Sequence, residues 1–158
     1  MRAWRIVSER RAPEAFTGEG ARLFGGRWNF PGVSMVYTAS HLSLAVLEIL
    51  VHLRATRLRQ RFITFEIEFN DSSIEKLPSE DLAGDWREEP APNSTREAGS
   101  FWVARKTSAV LEVPSVIVPG ESNFLLNREH PDYDSIFIVD EAPFSFDPRL
   151  IKSLDGDR

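Results

Sequence analysis

Hydrophobic and polar positions along this chain follow two rhythms. Phe62-Ile63-Thr64-Phe65-Glu66-Ile67-Glu68-Phe69 alternates and predicts a strand with one polar face. Ser40 to His52 instead reads Ser-His-Leu-Ser-Leu-Ala-Val-Leu-Glu-Ile-Leu-Val-His, a stretch apolar on nearly every side, which predicts a buried helix with Ser40 as its N-cap. That helix is expected to run on through Arg54, Arg57 and Arg61, or to fray near Gln60. Before it, Trp4 to Val7 reads as a short strand, Gly18 to Gly32 as a shaped loop punctuated by Gly and Pro, and Ser34 to Thr38 as a second strand. After it, residues 70–93 hold Pro78, Gly84, Pro90 and Pro92 among many acids and predict an irregular connection with one helical turn near Glu80. Ser94 is expected to cap a second helix reaching Lys106. Ala109 to Val113 reads as strand, with further extended pieces at Val116–Val118, Asn123–Asn127 and Ser135–Val139. Strands and helices interleave without a βαβ rhythm, which favours an α+β domain with a curved, mostly antiparallel sheet over a doubly wound one.

The chain has 158 residues, enough for one domain with a substantial core, and a single domain over 1–158 is expected. The Leu42–Leu53 run is too short for a membrane span and contains Glu48, and Met1-Arg2-Ala3-Trp4-Arg5 lacks the apolar block of an export signal. The absence of cysteine excludes disulfides and thiolate chemistry and suits a reducing cytoplasm, the expected location. The net charge of −5 conceals an asymmetry: residues 1–61 hold ten Arg against four Glu, and residues 62–158 hold nine Lys and Arg against twenty Asp and Glu. A globally acidic chain is a poor nucleic-acid binder, but a local basic pocket for a small anion fits these counts.

Glu48 is the residue to explain, because a carboxylate within an apolar helix needs compensation. One reading pairs it with His52 at i+4 or with Arg54; the other sets it at the floor of a cleft. Arg27 follows Gly25-Gly26, which let the backbone turn tightly beside a ligand, and its fork suits phosphate or carboxylate; it reads equally as a loop arginine stacked on Trp28. Tyr37 reads as core or as a ring platform. Ser115, then Glu121-Ser122-Asn123, offer hydroxyls and an amide after a strand, and such groups also form turns. Ser115 lacks a nucleophile-elbow pattern, and His41, His52 and His130 lack a metal spacing, so no metal is expected.

Together, Gly-Gly-Arg-Trp-Asn-x-x-Gly, Val-Tyr-Thr-Ala, Leu-Ala-Val-Leu-Glu, Ala-Val-Leu-Glu-Val-Pro-Ser and Glu-Ser-Asn-Phe-Leu-Leu-Asn with His-Pro resemble the RES domain, in order, from Trp4 to about Phe146. These are toxins of bacterial toxin–antitoxin pairs. The resemblance assigns the family's arginine, glutamate and serine to Arg27, Glu48 and Ser115, its site tyrosine to Tyr37, and further pocket positions to Arg5 and Asn123. One departure is Asn127-Arg128-Glu129-His130-Pro131, where relatives often have Asn-Pro before His-Pro. The resemblance implies a fold similar to mono-ADP-ribosyltransferases such as diphtheria toxin. It implies NAD as substrate, degraded by phosphorolysis with inorganic phosphate as co-substrate or by hydrolysis, with ADP-ribosyl transfer to a protein as the alternative. It also implies an Xre-like helix-turn-helix antitoxin as partner, leaves a homodimer open, and includes no direct nucleic-acid or membrane contact. A non-catalytic binding module, in which Arg27 and Glu48 form a buried ion pair, is the competing reading.

Overall fold

The protein is described here from a computed structural model covering residues 1–155; the end of the expected 1–158 domain, residues 156–158, lies outside the described residues. In chain order the elements are β1 (Arg2–Ser8), α1 (Glu19–Phe24), β2 (Val36–Ala39), α2 (Leu42–His52), α3 (Ala55–Leu58), β3 (Phe62–Glu68), β4 (Ile74–Lys76), α4 (Asn93–Arg105), β5 (Val110–Pro114), β6 (Ser122–Leu126), β7 (Phe137–Phe144) and α5 (Pro148–Asp155). The strands make one seven-stranded sheet in the order β4-β5-β6-β2-β1-β3-β7, and every pairing is antiparallel except β4 with β5. This is the expected α+β class with a largely antiparallel sheet.

Alternation explains why both faces of the central strands are covered. Val36, Phe124 and Leu126 join one apolar cluster with Ala3, Ile67 and Val110. Leu111, Val113 and Leu125 turn to the other face and meet Trp102 and Val103 of α4 and Trp28 of the preceding loop. A third cluster seats α2 and α3 on the sheet through Leu44, Ala45 and Leu58 against Ile6, Ala39 and Phe62. The β1–β3 ladder runs unbroken from Arg2↔Glu68 to Ser8↔Phe62, whereas β1 meets β2 at one pair, Trp4↔Ala39. Beside that pair, Arg5 Nη1 donates to the Tyr37 carbonyl at 2.6 Å, so a side chain occupies a position where a ladder bond would otherwise satisfy the backbone. A cleft opens at this thinly paired junction.

Several local expectations are corrected. The Gly18–Gly32 loop contains α1, two turns too short to announce themselves by periodicity. α2 is not buried all round: Leu44 and Ala45 face the core while Leu42, Leu47 and Val51 are 37%, 38% and 58% exposed. It also ends at His52, because Leu53 and Arg54 are extended, and the next helical turn is separate. Ser40 does not cap it; His41 holds the N-cap position, and Ser40 Oγ lies 3.0 Å from His41 Nδ1. Nor does Ser94 cap α4, which begins one residue earlier behind Pro92, leaving the Ser94 hydroxyl to donate to Asp85 at 2.6 Å. Residues Val116–Val118 form a bend, not a strand.

Candidate functional site

Two adjoining cavities of about 200 and 490 Å³ share Tyr37, Glu48, His52 and Asn123 as lining residues and form one cleft of a size suited to a dinucleotide. The smaller adds Trp4, Arg5, Thr38 and Ala45; the larger adds Arg27, Glu89, Arg96, Val116 and Ile117. Five of the six residues singled out from the sequence therefore line this cleft: Arg5, Arg27, Tyr37, Glu48 and Asn123. The sixth, Ser115, is 2% exposed and is not among the lining residues. Its Oγ accepts from the backbone N–H groups of Ile117 and Val118, both at 3.1 Å, closing the turn that presents Val116 and Ile117 to the cleft.

The loop before β2 is built around Asn29, fully buried, whose Nδ2 donates to the carbonyls of Ala21, Phe30 and Val33 at 2.8–3.0 Å. Its Oδ1 accepts from the Tyr37 hydroxyl at 2.7 Å, and that hydroxyl accepts from Trp28 N at 3.0 Å. Gly26 is required here, since a Cβ would stand 2.5 Å from the Tyr37 oxygen. The phenol is thus locked in place with its ring on the cleft wall, and burial raises its pKa, so it stays neutral.

Glu48 projects from the half-buried side of α2, and its Oε1 accepts from Asn123 Nδ2 at 2.8 Å. It makes no ion pair with His52 or Arg54 among the described residues. Arg27 is likewise not paired with Glu48: its Nη1 donates to the carbonyls of Trp86 and Glu88 at 3.1 and 2.9 Å, and its Nη2 to Glu89 at 2.7 Å. The buried Arg27–Glu48 pair required by the binding-module reading is therefore not formed. A carboxylate partnered only by one amide has acceptor positions left for whatever enters the cleft.

Arg5 supplies the opposite charge. Burial pushes its guanidinium down to about 10, still protonated at neutral pH, and its Nε has no hydrogen-bond partner. Asn123 Oδ1 is also buried and unpartnered. Both atoms are closed off from solvent beneath the cleft surface, so the charge of Arg5 is compensated there by no internal partner at Nε. Sequence reasoning missed Trp4, His52 and Arg96 as cleft residues. His52 entered only as a partner for Glu48, and Arg96 looks in sequence like any surface arginine of a polar helix.

Comparison with known proteins identifies the family. The RES domain family matches residues 2–147. The chain is 42% identical to "Toxin Res" of Yersinia enterocolitica over 95% of this chain and 99% of that protein, and 41% identical to the "Prs ADP-ribosylating toxin" of a Sphingobium species over 94% and 96%. "Toxin Res" of Pseudomonas putida is 34% identical over 95% and 99%. Among solved structures, the fold matches the toxin of the M. tuberculosis MbcT–MbcA toxin–antitoxin complex with a TM-score of 0.68, over 98% of this chain and 88% of that one, at 20% identity. That toxin has an ADP-ribosyltransferase-like fold, the type expected for this chain. With a match spanning nearly its whole length and relatives above 40% identity, the chain belongs to the RES domain family.

Proposed function

We propose that this protein is the toxin of a toxin–antitoxin pair and that it consumes NAD by cleaving the nicotinamide–ribose bond, with inorganic phosphate as the attacking group. The observation that carries this reading is Glu48, held by Asn123 in a cleft lined by arginines yet free of any cation of its own. Ordinary glycoside cleavage needs an acid to protonate the leaving group as well as a second carboxylate. The nicotinamide of NAD is already cationic, so one carboxylate is enough. The C1′–N bond breaks with its electron pair passing to the ring nitrogen, nicotinamide leaves neutral, and positive charge develops on the ribose. Glu48 stabilises that charge and holds a ribose hydroxyl; Asn123 fixes the carboxylate. A phosphate oxygen then forms the new bond to C1′, giving ADP-ribose phosphate, whereas water in its place gives ADP-ribose and a proton.

Arg5 and Arg27 hold phosphate oxygens, Tyr37 packs on the nicotinamide ring, and Ser115 acts through the turn it closes. The relatives named as toxins, and the complex in which the MbcT fold occurs, support neutralisation by an antitoxin partner; an Xre-like helix-turn-helix protein is the kind we infer. A second reading, transfer of ADP-ribose to a protein, is favoured by the name of the Sphingobium relative. Incubating the purified protein with NAD, with and without phosphate, and following products by phosphorus NMR separates these. Phosphate-dependent ADP-ribose phosphate is expected. NAD left unchanged by folded, antitoxin-free protein refutes phosphorolysis and hydrolysis, and label passing from NAD to an added acceptor protein marks transfer. Glu48→Gln should fold normally yet lose both NAD cleavage and growth arrest, a drop of roughly a hundredfold or more for a group acting on transition-state charge.

A further inference from the structure

Arg27 and Arg96 are the two arginines lining the larger cavity, and they are not equivalent. Arg27 is engaged by two carbonyls and the Glu89 carboxylate, all from residues 86–89, so its guanidinium ties that segment over the cleft. Arg96 rises half-buried from α4, and its side chain makes one hydrogen bond within the protein, from Nε to the Gly26 carbonyl at 3.3 Å. That distance lies at the long end of the useful range. Neither terminal nitrogen has a hydrogen bond, and the group has no ion pair, among the described residues. Both guanidinium groups act on the Tyr37 hydroxyl, drawing its pKa down against the upward push of burial, so both lie within electrostatic reach of it.

A half-buried guanidinium in a concave site, with its terminal nitrogens unengaged, is open to whatever anion enters there. Arg27 has an anion from Glu89; Arg96 does not. We propose that Arg96 is a further anion-binding residue of this cleft, taking a phosphate oxygen of the substrate alongside Arg27, whose guanidinium also ties residues 86–89 in place. This rests on the reading of the cleft as an NAD-consuming site. The Nε bond to Gly26 leaves the terminal edge of the fork open, the arrangement by which arginine grips phosphate. The phosphate belongs either to the dinucleotide or to free inorganic phosphate, and the two sources are separable.

Calorimetric titration of Glu48→Gln protein, which binds without turnover, with ADP and separately with inorganic phosphate supplies the reference. Adding Arg96→Gln should weaken the anion that Arg96 contacts by roughly tenfold or more, and Arg96→Lys by less. Loss confined to ADP assigns the dinucleotide; loss confined to inorganic phosphate assigns the attacking group. Adenosine, which carries no phosphate, should bind both proteins alike. Unchanged affinity for both anions, no binding of either to the reference protein, or an equal fall for adenosine overturns the proposal. The last result would make Arg96 a prop for the Gly26 carbonyl. If the unsubstituted protein leaves NAD intact, the proposed reaction fails, yet these titrations still decide the role of Arg96.

Discussion

Arg5 is where binding and stability pull against each other. Burial holds its guanidinium down at about 10, well below the ordinary arginine range, and no carboxylate offsets it. The sign follows directly: the folded state holds this proton less tightly than the unfolded one. The cost of the buried charge is therefore present in full below pH 10, and it fades only as pH rises above about 10 toward the range where an unfolded arginine loses its proton. Replacing a paired buried charge typically costs about 3–5 kcal/mol, because its partner is stranded. Arg5 strands no carboxylate, so Arg5→Gln, which keeps a donor for the Tyr37 carbonyl, should leave stability within about 1 kcal/mol of the unsubstituted protein or raise it. Urea titration checks this, and a loss of several kcal/mol would mean that the guanidinium is compensated inside the protein. Residues of this kind were readable early: Glu48 stood out by its isolation and Arg27 by its glycines. Arg96 did not, since nothing in its neighbourhood separates a solvated arginine from one turned into a cleft.

Among the elements, α4 and the loop before β2 show how the cleft is shaped by close contact. A Cβ on Gly99 would fall 1.9 Å from the Trp28 carbonyl oxygen, so α4 rests directly on the backbone that carries Arg27. Gly99→Ala must push helix and loop apart. We expect a destabilisation of about 1–3 kcal/mol or more, from overpacking against backbone that cannot rotate away. Reduced NAD cleavage should accompany it, because Arg27 and Arg96 lie on the two sides of that contact. Thermal melting and turnover measured on the same preparation test it; unchanged stability would show that the helix shifts freely. Alternation identified β3 because a half-buried strand repeats at every second residue, whereas β4, three residues long, lies hidden within the 70–93 stretch read as irregular. The helix boundaries misled for physical reasons. α2 is apolar on a side that is partly solvent-exposed, and Ser40 and Ser94 spend their hydroxyls on His41 and Asp85 instead of on helix N–H groups.

For the molecule as a whole, the charge asymmetry takes on a location. The arginine-rich first part of the chain sends Arg5 and Arg27 into the cleft, and the acidic remainder adds Arg96 from across it, so a globally acidic protein presents a locally cationic cleft. The fold class followed from the interleaving of elements and from the family resemblance. The strand order did not, because the single β1–β2 pair that opens the cleft depends on Arg5 taking the place of a ladder bond. A ligand carrying phosphates into that opening would compensate Arg5 and join β1, α2 and α4 through one set of contacts. It should therefore stabilise the fold by about 2.7 kcal/mol at a hundredfold excess over its Kd. For a chain of this length that is a rise in Tm of roughly 5–10 °C. ADP is the suitable probe because it has no nicotinamide bond to break. The rise should be much smaller for Arg5→Gln and should shrink as ionic strength increases. An equal rise in both proteins would place the bound anion away from Arg5 and remove the basis for assigning the cleft its phosphate contacts there.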